Sequence, residues 1–197
     1  MKVVLLYGAL HPRKGIQLLL NGAASSSCPE NIHILLAGRQ SAEVRNLANN
    51  SHAVRLKVKG RLHIIDGYVD DQLERLILSA SDFMWIGYSH FYRMSGILVL
   101  AARHGLPSIY TREGLIGHMG RQFQLGTEIY PDQVDTVVAA LARLDADPHQ
   151  HDAQIAAASK HFELHSVAHF QAVLGQQILN ASPPHCSLPL DTGAHNC

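Results

Sequence analysis

Lys14 follows the short apolar run Val3–Gly8 and stands at the head of a segment with helical spacing. An ammonium beside a helix N-terminus acts as a point charge on a phosphate or diphosphate. Its plainer alternative is a solvated surface lysine. Arg13, just before it, carries a planar fork that grips phosphate oxygens in pairs. Gly8, at the end of the apolar run, is a place where a ligand can approach backbone closely. A second candidate corner lies in SHFYRMSG, Ser89–Gly96. Ser95 and Gly96 open an apolar helical run, where free backbone N–H groups and a hydroxyl can cradle an anion. The same pair also reads as a serine N-cap and a glycine that lets a helix lie close to a sheet. Within that stretch His90 can donate a hydrogen bond or a proton, Tyr92 can stack on a sugar or a base, and Arg93 can clamp a phosphate. Each has an ordinary reading too: a surface histidine, a packed tyrosine, a solvated arginine. A third corner is EGLIG, where Gly114 and Gly117 bracket a glycine-rich turn whose N–H groups can reach the same anion, and Glu113 can accept hydroxyls. Simple turn chemistry explains those glycines equally well. Asp66, Gly67 and Tyr68 are further candidates, for a base pocket.

These residues need a frame, and the hydrophobic pattern predicts one. VVLLYG, IHILLAG, RLHIID, DFMWIGY, LPSIYT and GTEIY read as strands, the last at an edge, although VRLKVKG competes with RLHIID for the third place. Between them Lys14–Ala24, Ser41–Asn50, Asp70–Ala80, Ser95–Gly105 and Pro131–Leu144 read as helices, with Ser41 as an N-cap and Pro131 and its aspartates capping the last. Such alternation predicts an α/β fold: a Rossmann-like, doubly wound parallel sheet with helices on both faces and a C-terminal helical extension. Ligands of such sheets bind outside the carboxyl ends of the strands. That rule selects five loops: Gly8–Lys14, Gly38–Ser41, Asp66–Asp70, Gly87–Gly96 and Tyr110–Gly117. Residues 149–179 continue as helix, with Phe162, Val167, Phe170, Val173 and Leu174 as one apolar stripe that should pack against something. His161, His165 and His169 fall at i, i+4 and i+8 on one face, a polar stripe with too few ligands for zinc. Residues 181–197 are rich in proline and polar residues and are expected to be a disordered tail after a domain spanning 1–180.

The bulk composition is restrictive. Sixteen basic and sixteen acidic residues leave no net charge, so no nucleic-acid footprint or basic membrane face is expected. No apolar run approaches the roughly 18 residues of a membrane span, and the N-terminus lacks a signal-peptide cleavage pattern. Three irregularly spaced cysteines, Cys28, Cys186 and Cys197, argue for reduced thiols and a cytoplasmic setting. The 14 histidines make surface charge sensitive to mild acid.

Taken in order, the strand ending in Gly8, Lys14-Gly15, IHILLAG, DGYV, SASDFMWIGYS, SGILVLAARHGLPSIYT, the glycine-rich EGLIG and PDQVDTVVAAL resemble one known family. It is the C-terminal, nucleotide-sugar-binding domain of the group 1 glycosyl transferases (glycosyltransferase family 4, GT-B fold). The resemblance runs from about Val3 to Leu179. It implies transfer of a sugar from a nucleotide-diphosphate sugar with retention of configuration, and no metal or other cofactor, because basic residues take the metal's place. Lys14 falls on the family's diphosphate-binding lysine, and with His90 it is the expected catalytic group. Gly8, Arg13, Tyr92, Arg93, Ser95, Gly96, Glu113, Gly114 and Gly117 are the expected substrate contacts. The departures are specific. Ala9 stands at the family's arginine position, Tyr92 and Leu100 at its paired glutamates, and Gly117 at the glutamate of its glycine-rich loop. The family also places the acceptor on a facing N-terminal domain, which a separate domain or subunit would have to supply. A catalytically degenerate nucleotide-binding or interaction module on the same fold therefore stands as the alternative. An unrelated flavodoxin-like domain is a third reading. No GxGxxG follows the first strand, which disfavours dinucleotides.

Overall fold

Six apolar runs become the strands β1 (Lys2–Tyr7), β2 (Ile32–Ala37), β3 (Leu62–Ile65), β4 (Phe83–Ile86), β5 (Ser108–Thr111) and β6 (Gly126–Ile129). They pair in parallel in the order β3-β2-β1-β4-β5-β6. The doubly wound sheet is thus as expected, with β6 at an edge. Helices α1 (Ile16–Ala23), α2 (Ala42–Leu47), α3 (Ser51–Val58), α4 (Asp71–Ser79), α5 (Gly96–Arg103), α6 (Gly114–Gln122), α7 (Val134–Ala146) and α8 (Asp152–Phe162) accompany it. A last helix, α9 (Val167–Asn180), follows. The computed structural model describes residues 1–180. They fall into two compact units, Met1–Glu163 and the segment from Leu164 onward.

The sheet carries a core on each face because its side chains alternate. Val4 and Leu6 join the layer built with α1, α3 and α7, while Leu5 joins the one built with α4, α5, α6 and α8. β4 repeats the pattern: Phe83 and Trp85 face one way, Met84 and Ile86 the other, and all four are buried. Each such side chain contributes about 1.5–3 kcal/mol by leaving water. Between β1 and β4 the sheet order reverses, and in such sheets the carboxyl edge at this switch is where ligands bind.

Several expectations change. VRLKVKG is no strand: Asn50 caps α3 by accepting from the Ala53 N–H, and RLHIID supplies β3. The helix after β6 starts from Gln133, with no side-chain cap, rather than from Pro131 and its aspartates. The helix expected over 149–179 is two helices. The Ser166 hydroxyl accepts from the His169 N–H and so starts α9 afresh. The apolar stripe is divided accordingly. Phe162 is buried in the first unit, whereas Val167, Phe170, Val173 and Leu174 are exposed on α9. The three-histidine face is broken too, and His161 stacks on Phe123 at 4.6 Å. The tail 181–197, with Cys186 and Cys197, lies outside the described residues. Among the described residues no helix is long and apolar enough to cross a membrane.

Candidate functional site

The connection from β1 to α1 is set by what it packs against. Residues Pro12–Lys14 form a 3₁₀ turn, closed by Gly15 in the left-handed region at φ 70°. A Cβ on Gly15 would lie 1.9 Å from the Gly87 carbonyl oxygen, so only glycine fits there. The buried Trp85 indole N–H donates to the Lys14 carbonyl at 2.8 Å, and the Ser89 N–H donates to the Arg13 carbonyl at 2.9 Å. With its backbone held against the exit of β4, Lys14 turns inward and is only 8% exposed. Its Nζ donates to the Tyr7 carbonyl at 2.5 Å and lies 5.6 Å from the centre of the Tyr88 ring. It also lies 3.3 Å from the point where a Cβ on Gly8 would stand. No carboxylate among the described residues pairs with it. Burial, and secondarily the nearby Arg13 charge, lower its pKa to about 8.

The amino end of α5 faces the same corner. The Ile97 side chain comes within 3.6 Å of the Gly8 Cβ position. Ser95 occupies the N-cap backbone position, but its side chain caps nothing. Its hydroxyl is buried, 3.5 Å from the Tyr88 hydroxyl. Gly96 has open space where a side chain would be, so close helix–sheet packing does not require a glycine there. Both ordinary readings of this pair therefore fail. Of the first N–H groups of α5, at the switch between β1 and β4, that of Leu98 donates to the Ser95 carbonyl at 3.1 Å, and those of Gly96 and Ile97 are without intrahelical partners by helix geometry.

The remaining candidates divide. His90 is exposed, in the left-handed region at φ 52°. Arg93 is exposed, and Tyr92 is 64% exposed. Arg13 lies 5.5 Å over the Phe91 ring, on the same loop. The stretch EGLIG is not a turn but the opening of α6, with Glu113 at its N-cap position. The Tyr92 carbonyl accepts from the Leu115 N–H at 3.2 Å, so this helix end is already partly filled. Gly114 sits against the backbone of Tyr92 for the same reason. Gly117 is buried, and a Cβ on it would lie 1.9 Å from the Arg112 carbonyl oxygen. It serves the packing of α6 against the Arg112 backbone. Glu113 keeps one carboxylate oxygen, Oε2, buried and without a hydrogen-bond partner.

Beside Gly8 a groove of about 320 Å³ runs across the carboxyl ends of β1, β2 and β3, with Gly38, Arg39, Gly67 and Tyr68 in its walls. Tyr68 is 83% exposed at its rim. Asp66 is committed elsewhere, to the Arg45 guanidinium at 2.8 Å and the Gln40 N–H at 3.0 Å, and these hold its carboxyl below the usual range. Tyr7, in the floor, donates to Glu74; burial first, and then that carboxylate, push its pKa upward. Tyr88 and Arg39 lie in loops that the carboxyl-end rule selects, although neither is singled out by its type, and Trp85, inside β4, escaped the sequence reading. Among the described residues no group of three or more His, Cys, Asp or Glu side chains is placed to hold a metal ion.

No family model matches the sequence, and no curated protein matches it. Solved structures do match in shape. Anabaena HepE in complex with UDP-glucose superposes with a TM-score of 0.74 at 16% identity, over 90% of this chain and 48% of that one. At this identity the likeness is one of fold. The C-terminal domain of a glycosyl transferase group 1 family protein from Francisella tularensis agrees at TM-score 0.67 and 14% identity, over 81% of this chain and 83% of that one. Sucrose-phosphate synthase from Thermosynechococcus elongatus gives 0.68 and 19%, over 92% of this chain and 46% of that one. The chain thus spans about half the length of the two longer GT-B chains.

Proposed function

We propose that this chain is the donor-binding half of a glycosyltransferase. It holds a nucleotide-diphosphate sugar at the carboxyl edge of the sheet, with the diphosphate on Lys14 and the amino end of α5 and the nucleoside over the groove beside Gly8. The observation that carries this reading is the buried Lys14 ammonium, which has no carboxylate partner among the described residues and stands where the sheet order reverses. A buried cation is costly until an anion joins it. The likeness to HepE, which is seen with UDP-glucose, supports a nucleotide sugar as that anion. In the transfer, the bond from the anomeric carbon to the diphosphate oxygen breaks and the acceptor hydroxyl oxygen takes the carbon, releasing its proton. Lys14 and the α5 N–H groups stabilise the charge that grows on the leaving diphosphate, a task that needs no metal. Exposed His90 and Arg93, with Arg13, lie on the loops around this corner and contact the sugar and phosphates. The acceptor is held by a separate domain or subunit, and the free thiol of Cys28 suits a reducing, cytoplasmic setting.

One observation favours a second reading, nucleotide binding without transfer. The positions where the resemblance calls for two glutamates and an arginine hold Tyr92, Leu100 and Ala9. One titration separates the readings. UDP, GDP and ADP, then their sugars, are added while thermal unfolding is followed; a ligand at 100 times its Kd stabilises by about 2.7 kcal/mol. Donor-sugar hydrolysis or transfer, with retention, supports the enzyme. Binding without turnover in the presence of an acceptor domain supports the module. Absence of any shift rejects both.

A further inference from the structure

At the opposite, amino edge of the sheet lies a more enclosed cavity of about 150 Å³ between the C-termini of α1 and α3 and the starts of β2 and β3. Three cations reach it, Arg55, Lys59 and Arg61, against one carboxylate, Glu30. Glu30 is taken by Lys59 at 2.9 Å. Asp145, whose charge also acts on Cys28, is engaged by Asn31. Two guanidiniums are thus left with no carboxylate among the described residues. Arg61 is only 5% exposed. It donates from Nε to the Ile32 carbonyl at 2.8 Å and from Nη2 to the Pro29 carbonyl at 2.9 Å and to the Cys28 sulfur at 3.4 Å. Its Nη1 has no hydrogen-bond partner among the described residues. Nη1 is not sealed in either, since the one sealed and unpartnered side-chain atom among the described residues is Glu113 Oε2. Arg55 is anchored by the Ala24 carbonyl on the other wall, and Ser25 and Ser26 add hydroxyls.

We propose that this cavity is a binding site for a tetrahedral oxyanion, a phosphate group, separate from the donor edge. Arg61 is a guanidinium buried without a counter-charge, which is costly, and an oxyanion that accepts from its Nη1 and from the exposed Arg55 guanidinium across the cavity removes the cost. The volume holds about five waters' worth of liquid, comparable to the five heavy atoms of phosphate. Cys28 lines the same space, so an occupant shields its thiol.

The test uses the full chain and inorganic phosphate, with sodium chloride at equal ionic strength as the control for general salt effects. In Lys14→Met, which removes the donor-edge ammonium, the unfolding temperature should still rise saturably with phosphate, and the arginine substitutions are read in that background. In Arg55→Gln the phosphate affinity should fall about tenfold or more, the effect of losing a charge-assisted contact. Arg61→Gln should abolish the response. If that variant does not fold, Arg55→Gln and the alkylation rate of Cys28, read peptide by peptide, decide instead. Phosphate should slow that alkylation several-fold in the unsubstituted chain and not in Arg55→Gln. Glycerol phosphate and phosphatidic-acid vesicles separate the sources. Protection by the soluble ester alone assigns a free metabolite, and co-sedimentation lost in Arg55→Gln assigns a lipid headgroup. A response linear in salt and equal in Arg55→Gln, or alkylation indifferent to phosphate, overturns the site.

Discussion

Replacing Lys14 with methionine should stabilise the empty protein and cripple nucleotide binding. Burial lowers the lysine's pKa from 10.5 to about 8, and that fall corresponds to roughly 3 kcal/mol spent on keeping the folded lysine charged at neutral pH. The unfolded chain binds the proton up to its higher pKa, while the folded chain gives it up near pH 8. The penalty is therefore complete below pH 8, fades between pH 8 and 10.5, and is absent above, so this group makes stability rise with pH across that window. Methionine fills a similar channel with no charge. It forfeits the hydrogen bond to the Tyr7 carbonyl, which is worth about 1 kcal/mol. The net expectation is a gain of about 1–2 kcal/mol at pH 7 in urea unfolding, with the pH 8–10.5 slope removed. Binding moves the other way. An ammonium about 4 Å from a phosphate charge, at an effective dielectric near 20, is worth about 4 kcal/mol. Allowing for water at the open rim, Lys14→Met should weaken UDP by about 30-fold to 1,000-fold.

The same lysine gives a calorimetric signature. A bound diphosphate restores the ammonium toward its ordinary range, so binding should take up protons between pH 8 and 10.5 and affinity should fall as pH rises through that interval. Isothermal titration in two buffers of different ionisation enthalpy measures the uptake. A Lys14→Met protein that is less stable at pH 7 and still binds UDP as the unsubstituted chain does would falsify the assignment of this ammonium to the diphosphate.

Three other substitutions probe the frame. Gly15→Ala combines a left-handed backbone with a Cβ driven into the Gly87 carbonyl, and should cost more than about 2 kcal/mol in urea unfolding; a change under 0.5 kcal/mol refutes the pinned turn. Gly96→Ala meets open space, so stability should stay within about 0.5 kcal/mol. UDP affinity should nevertheless drop, because the methyl group stands at the proposed phosphate approach; unchanged affinity places the phosphate elsewhere. Asn50→Ala removes the cap of α3 and should cost about 1 kcal/mol in the same denaturation, whereas no loss would mean that the Ala53 N–H finds water equally well.

The strands were legible because they are buried on both faces and so appear as continuous apolar runs. FMWI in β4 is the extreme case, with all four residues buried. Errors arose where local pattern and tertiary context disagree. Val54, Leu56 and Val58 alternate like a strand, yet Val54 and Val58 are 46% and 83% exposed, while Ala53 and Leu56, three apart, are buried. The helical period was present underneath, and Asn50 at the cap was its signal. Gly114 and Gly117 looked like turn residues. With Gly120 their spacing of three is a helix face, and Gly117 and Gly120 lie against the Arg112 backbone and the Tyr110 ring.

The position of Lys14 was readable from its place after β1, but its direction was not. An exposed ammonium and a buried one have the same sequence around them. What turns this side chain inward is Trp85, whose indole reaches back 71 residues to the Lys14 carbonyl, together with Gly15 pressed on Gly87. Folding thereby holds a cation in a place where it is costly, and neither contact involves a ligand. The corner is consequently built before any anion arrives, and the cost of its construction is met by the β4 core. A site so arranged binds through electrostatics already in place, with little left to reorganise on binding.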